Sequence, residues 1–180
     1  MFSQLTHPRI HPRLRGYDYS KPGAYFVTIC THRREESFGL VRDGGVILNS
    51  IGHEVGRHLQ LLPSRFSNVR IDASVSIPDH AHSLIVLKPV GAVGAGFPRP
   101  VAGTAPLQVR LGKVIAYFKY QTTKAANELR QTPSLPLWQR GYFEHVIRNE
   151  RELNFARRYI HNNPLQWTLD NSGPFPVNWN

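Results

Sequence analysis

Two histidines, His80 and His82, stand two residues apart at the head of the apolar run Leu84-Ile85-Val86-Leu87. In an extended strand, residues i and i+2 point to the same face. Strand geometry here sets two imidazoles side by side, just after a Pro78-Asp79 turn. Two neutral ring nitrogens in that arrangement are a ready pair of ligands for a divalent metal. The competing reading is two surface histidines at a strand start, and a two-residue pattern alone does not separate the two. Far downstream, the segment Tyr159-Ile160-His161-Asn162-Asn163-Pro164 carries polar groups with chemistry of their own. Phe155, Tyr159 and Asn163 recur every fourth residue, which places them on one stripe of a helix.

The elements that must hold these residues are legible from period and punctuation. Ala24-Tyr25-Phe26-Val27-Thr28-Ile29-Cys30 is apolar on both faces and predicts a central strand. Short runs on either side of Asp43-Gly44-Gly45 predict a hairpin. Asn49 or Ser50 caps a helix expected to reach Leu62, with Ile51, Val55, Leu59 and Leu62 as its buried stripe and Pro63 after its end. Val69, Ile71, Ala73, Val75 and Ile77 alternate cleanly, so this strand should pair antiparallel with the one that carries the histidines. Leu107, Leu111, Val114, Phe118, Ala125 and Leu129 recur at helical spacing. Trp138 to Ile147 reads as an aromatic loop entering a short strand. Asn149 and Glu152 have the spacing of a capping box at the head of the last helix. Pro164 disfavours helical geometry at Asn163, so that helix is expected to end there, with an irregular tail over residues 166–180. This order of elements predicts an α+β sandwich: an antiparallel sheet with helices covering one face.

The 180 residues suit one domain. A net charge of +10 makes nucleic acid or another polyanion a candidate partner, although a merely basic soluble protein has the same balance. The one cysteine, Cys30, excludes an internal disulfide and a cysteine-based zinc site. No window holds the ~20 apolar residues of a membrane helix, so the expectation is a cytoplasmic protein without a membrane partner. Residues 1–22 form a basic arm rich in His, Pro, Arg and aromatics, in which Arg13 and Arg15 are candidate phosphate contacts. Residues 88–106 are dominated by Gly, Ala, Val and Pro and predict a flexible loop. That loop has no GK[ST] ending, which argues against a nucleotide phosphate site. Lys119, on the long helix, is a further candidate phosphate contact, with a solvated helix face as its alternative.

Taken together, several segments resemble the HUH-type tyrosine transposases that act on single-stranded DNA, and among them the REP-associated tyrosine transposases. The segments are Gly16-Tyr17-Asp18-Tyr19-Ser20 with Gly23-Ala24-Tyr25-Phe26-Val27-Thr28, then Pro78-Asp79-His80-Ala81-His82 and Phe118-Lys119. Leu137-Trp138-Gln139-Arg140-Gly141-Tyr142-Phe143-Glu144-His145-Val146-Ile147-Arg148-Asn149-Glu150 and Tyr159-Ile160-His161-Asn162-Asn163-Pro164 complete the set. Two features depart from the pattern. The loop over residues 90–106 is longer and richer in Gly and Pro, and Asp79 stands where the family often has Asn or Glu.

The resemblance implies a ferredoxin-like fold over residues 23–165, a catalytic tyrosine on a C-terminal helix, a divalent metal (Mg or Mn) and single-stranded DNA hairpins as substrate, in a monomer or homodimer. Carried over residue by residue, it implies His80 and His82 as metal ligands, Tyr159 as nucleophile and Asn163 as third ligand. Glu144 and His145 receive no role. Tyr117, Tyr120 and Tyr142 compete with Tyr159, which could also be a core aromatic. The chemistry is coherent: phosphodiester cleavage needs a nucleophile and a cation for developing charge. Phenol is a poor nucleophile at its free pKa of ~10 and so needs an activating neighbour. Two alternatives stay open, a hairpin-binding protein that no longer cuts and a metal-dependent hydrolase of small molecules.

Overall fold

The computed structural model describes residues 16–89 and 109–169, and the side chains as far as Trp167. Arg13, Arg15, most of the 88–106 loop and residues 170–180 lie outside this range. Strand β1 (Gly23–Cys30) is the apolar run expected to be central, and it is flanked on both sides. After it come the hairpin strands β2 (Gly39–Arg42) and β3 (Gly45–Leu48), helix α1 (Ser50–Arg65), strands β4 (Val69–Ile77) and β5 (His80–Leu87), helix α2 (Leu111–Arg130), strand β6 (Phe143–Ile147) and helix α3 (Glu150–Leu169).

The main sheet has the order β4-β5-β1-β6, and each neighbouring pair is antiparallel. Leaving aside the hairpin, the path β1-α1-β4-β5-α2-β6 in this order is the ferredoxin-like sandwich. The hairpin is inserted between β1 and α1, and α3 is added after β6. Asp43 and Gly44, both at positive φ, form the two-residue turn between β2 and β3, as an Asp-Gly hairpin requires.

Alternation along β1 and β5 divides the interior into two cores. Tyr25, Val27, Ile29, Ala81, Ile85 and Leu87 point to one face. There they pack with Val55, Leu59 and Leu62 of α1 and with Leu111, Val114, Ile115 and Phe118 of α2. Each large side chain buried in this way contributes about 1.5–3 kcal/mol. Phe26 and Leu84 point to the opposite face and meet Ala156 and Ile160 of α3. Thus α1 and α2 cover one face, as expected, and the last helix crosses the other.

Both expected helix stops at proline give way to packing. α1 contains Pro63 and runs to Arg65, and the Phe66 N–H still bonds the Leu62 carbonyl while the Phe66 ring is buried in the core. α3 contains Pro164 and runs to Leu169. An interior proline costs a helix about 3 kcal/mol. The turn beyond Pro164 has its own anchors: the Leu165 side chain lies beside Gly44 of the hairpin turn, and the Trp167 ring packs 5.8 Å from that of His80. At the other end Asn149 caps the helix as expected, but Glu152 returns to the Asn149 side chain and the Arg148 N–H in place of the Asn149 N–H of a full capping box. The Glu152 N–H donates to Asn149 Oδ1 at 2.9 Å and Asn149 Nδ2 donates to Glu152 Oε1 at 3.2 Å.

Candidate active site

Strand pairing, rather than the loop before it, places the two histidines. His80 opens β5 opposite Cys30 of β1, and His82 lies opposite Thr28. Both side chains point to the α3 face and both are buried. Their Nε2 atoms are 2.9 Å apart, and the rings meet edge to face.

The remaining ring nitrogens have partners that fix the rings. Asp79 Oδ1 is 2.7 Å from His80 Nδ1, and Arg34 Nη2 holds the other Asp79 oxygen at 2.5 Å. Thr28 Oγ1 lies 2.8 Å from His82 Nδ1. Burial, aided by the Arg34 charge, pushes His80 down to about 3. Burial, then the proximity of His80 and Arg34, holds His82 well below its ordinary value. Burial pushes Asp79 up to about 6 against the opposing pull of Arg34. At neutral pH, then, both imidazoles are neutral and Asp79 is largely ionised. The Asp79 carboxylate accepts the His80 Nδ1–H, which leaves an acceptor lone pair on His80 Nε2.

Thr28 allows His82 either tautomer. With no cation between the rings, His82 donates Nε2–H to His80 and accepts the Thr28 hydroxyl at Nδ1. If both Nε2 atoms are to be acceptors, His82 instead donates Nδ1–H to Thr28 Oγ1. A hydroxyl serves both cases because it donates and accepts.

The donor set fits a divalent cation. Two nitrogens at ~2.1 Å from one ion and at right angles lie ~3 Å apart, close to the separation in this structure. Among the described residues no third His, Cys, Asp or Glu completes a cluster with them. An amide oxygen is the remaining candidate: Asn163 is buried, and its Oδ1 has no hydrogen-bond partner among the described residues. An unsatisfied buried carbonyl costs about 1–3 kcal/mol and calls for an explanation such as an ion. Asn163 sits one helical turn beyond Tyr159 on α3, on the stripe that the four-residue spacing predicts.

Tyr159 lies against the same pair of histidines through His82. Its ring centroid is 5.2 Å from that of His82 and 5.7 Å from that of Phe26, and Phe26 itself stacks on His82. The rival tyrosines lie elsewhere. Tyr117 packs on Phe66 in the other core, Tyr142 lies against that same core, and Tyr120 is exposed on α2. The structure thus gathers His80, His82 and Tyr159 from two elements on one face of the sheet, with Asn163 buried one turn further along α3.

Lys119 is placed differently from a surface phosphate contact. Its ammonium donates to the carbonyls of Gln139, Arg140 (3.1 Å) and Gly141 (3.2 Å). An ammonium has three N–H donors, and all three are used. Lys119 pins the loop before β6, which Trp138 anchors through Nε1–H to Thr122 Oγ1 at 2.8 Å.

Sequence reasoning missed Thr28 and Arg34 as supports of the histidines. The signal for Thr28 was an aliphatic hydroxyl inside an otherwise apolar run, Phe26-Val27-Thr28-Ile29. Arg34 closes the 3-10 turn His32–Arg34, in which Arg33 and Arg34 both have positive φ, a conformation its residue types give no hint of. His145 bonds Glu152 at 3.1 Å, inside the α3 cap.

The comparisons with known proteins bear on this arrangement in different ways. No family model matches the chain. An uncharacterized protein of Haemophilus influenzae is 32% identical over 168 residues, which cover 91% of this chain and 92% of that one. The solved structure of a REP-associated tyrosine transposase bound to a REP hairpin superposes with a TM-score of 0.57 at 20% identity, covering 92% of this chain and 89% of the other. At that identity the likeness speaks to the fold. The chain therefore belongs to one family with the Haemophilus influenzae protein, and its fold is that of the REP-associated tyrosine transposase.

Proposed function

We propose that the protein is a transposase-like, metal-dependent endonuclease and strand transferase that recognises single-stranded DNA hairpins. The observation that carries this reading is the seat of Tyr159 against His82, with the unpartnered Asn163 amide oxygen one turn further along the same helix. The shared fold adds support, because the similar structure is a complex with a REP hairpin.

His80, His82 and Asn163 would hold a Mg or Mn ion. When bound, that ion supplies positive charge for the phosphate oxygens and for the leaving 3′-oxygen. The other steps belong to the chain. The Tyr159 phenolic oxygen attacks the scissile phosphorus and loses its proton. The new O–P bond gives a 5′-phosphotyrosine, the P–O3′ bond breaks, and the 3′-oxygen takes up a proton. Attack of a 3′-hydroxyl on the tyrosyl ester reverses the step and rejoins a strand without ATP. Phe26 and Ile160 exclude water from the inner side of Tyr159, while Asp79 and Thr28 orient the imidazoles. The basic arm, with Arg13 and Arg15, remains a proposed phosphate contact.

The test is a cleavage assay with end-labelled single-stranded hairpin DNA and Mn or Mg. The wild type should form a covalent protein–DNA adduct, and Tyr159→Phe should form none while keeping its fold. Tight binding without an adduct would move the reading to a silent hairpin-binding protein. An adduct that survives the substitution would mean a different nucleophile.

A further inference from the structure

Asp72 and Arg157 are 85 residues apart in the chain and meet at the flank of the tyrosine helix. Arg157 Nε donates to Asp72 Oδ2 at 2.6 Å and Nη2 donates to Oδ1 at 3.1 Å, a two-pronged contact. Arg70 Nη1 adds a third bond to Asp72 Oδ1 at 2.5 Å, and Asn154 Oδ1 accepts from Arg157 Nη1 at 3.2 Å. The Asp72 side chain is 5% exposed although β4 is an edge strand.

A bulge puts Asp72 there. Ile71 pairs with Ile85 and Ala73 with Leu84, so Asp72 is an extra residue in the ladder. Ile71 packs in the core under α1 and α2, whereas Ala73 and Val75 pack in the core under α3. An unbulged strand would turn all three to one face. The bulge thus switches the alternation and aims a carboxylate at α3.

On α3, successive residues advance by ~100°. Ala156 and Ile160 form the middle of the buried stripe. Arg157 lies on one flank of that stripe and Tyr159 on the other, ~160° away around the helix. A clamp on the Arg157 flank therefore fixes the rotation of the helix about its axis. The phenolic oxygen of a tyrosine reaches ~9 Å from a helix axis, so a 10° rotation moves it by ~1.5 Å. Misplacement by ~1 Å can cost ~100-fold in rate.

We propose that the Asp72–Arg157 pair is a positioning clamp that sets the approach of the Tyr159 hydroxyl to the His80/His82 pair. This deepens, and rests on, the reading of Tyr159 as nucleophile. Neither clamp residue touches the reacting atoms.

The variants are Asp72→Asn, Arg157→Gln, their combination, and Arg157→Lys. At saturating hairpin DNA, each of the first two should slow adduct formation by about 10- to 100-fold. Hairpin affinity and Mn affinity should stay within about twofold of wild type. The double variant should be no slower than the slower single one, because both remove one contact. Arg157→Lys, on an exposed helix flank, should recover part of the rate. An unchanged rate overturns the proposal, and so does a loss of rate that tracks a loss of hairpin or Mn binding. A second measurement needs no cleavage: 3-fluorotyrosine labelling, with the Tyr159 fluorine resonance assigned by its absence in Tyr159→Phe. That resonance should shift or broaden in Asp72→Asn and in Arg157→Gln. If the wild type forms no adduct, the nucleophile reading fails, and an unmoved resonance would separately overturn the clamp.

Discussion

Moving the metal-free protein from pH 7 to pH 5 should cost about 2–3 kcal/mol of stability, most of it through His82. Burial holds His82 well below its ordinary value of 6.5 in the folded protein. As pH falls, the unfolded chain therefore takes up a proton that the folded chain refuses. Stability from this group is complete above the unfolded value and is lost as the pH drops below it. Each pH unit is worth about 1.4 kcal/mol, so the fall to pH 5 removes about 2 kcal/mol. The neighbouring pair behaves otherwise. In the unfolded chain His80 takes up its proton near 6.5, while in the folded protein Asp79 takes one up at about 6. One proton enters each state, so this pair adds only about 0.7 kcal/mol and then stays flat until ordinary aspartates protonate. The assay is urea unfolding in EDTA at both pH values, for the wild type and for His82→Asn. The variant should narrow the difference between the two pH values by about 2 kcal/mol. A His82→Asn protein that keeps the full pH dependence would refute the assignment of the acid sensitivity to that buried ring.

Two further outcomes follow from single side chains. Asn163→Leu removes an unsatisfied buried carbonyl, so metal-free stability should hold or rise by about 1 kcal/mol while the rise in melting temperature on adding Mn shrinks; an undiminished Mn response would remove Asn163 from the ligand set. Lys119→Met should destabilise by about 1–3 kcal/mol, because three carbonyls lose their donor. It should leave the salt dependence of hairpin binding unchanged, whereas loss of a phosphate contact would lower that slope by about 1.

What could be read from the chain beforehand follows the range of each interaction. The Asp43-Gly44 turn and the Asn149 cap depend on near neighbours, and each formed as its residues implied, as did the extended run of β4, but its even alternation is broken at Asp72, which sends Ile71 and Ala73 to opposite faces. The spacing of His80 and His82 likewise required only that the segment be extended. Pro63 and Pro164 misled because a local penalty of about 3 kcal/mol competes with anchors that lie elsewhere in the chain, such as Gly44 under Leu165. Thr28 beneath His82 depends on the register between β1 and β5, which composition does not encode. Lys119 displayed its charge but not the three carbonyls that use it. Asp72 and Arg157 look like unrelated surface charges until a bulge turns one toward the other.

The two halves of the candidate site belong to different parts of the fold. β5 finds its histidines a place as soon as it pairs with β1, and the sheet is complete once β6 closes its edge. Tyr159 and Asn163 come on a helix that lies outside the ferredoxin-like path. Wherever the sheet forms before α3 docks, there is an interval in which the imidazole pair exists without the candidate nucleophile. During that interval Phe26 and Leu84 present a bare apolar face. The docking of α3 hides that surface and brings the candidate tyrosine to the histidines in one event, so cover for the apolar face and completion of the candidate site are the same contact.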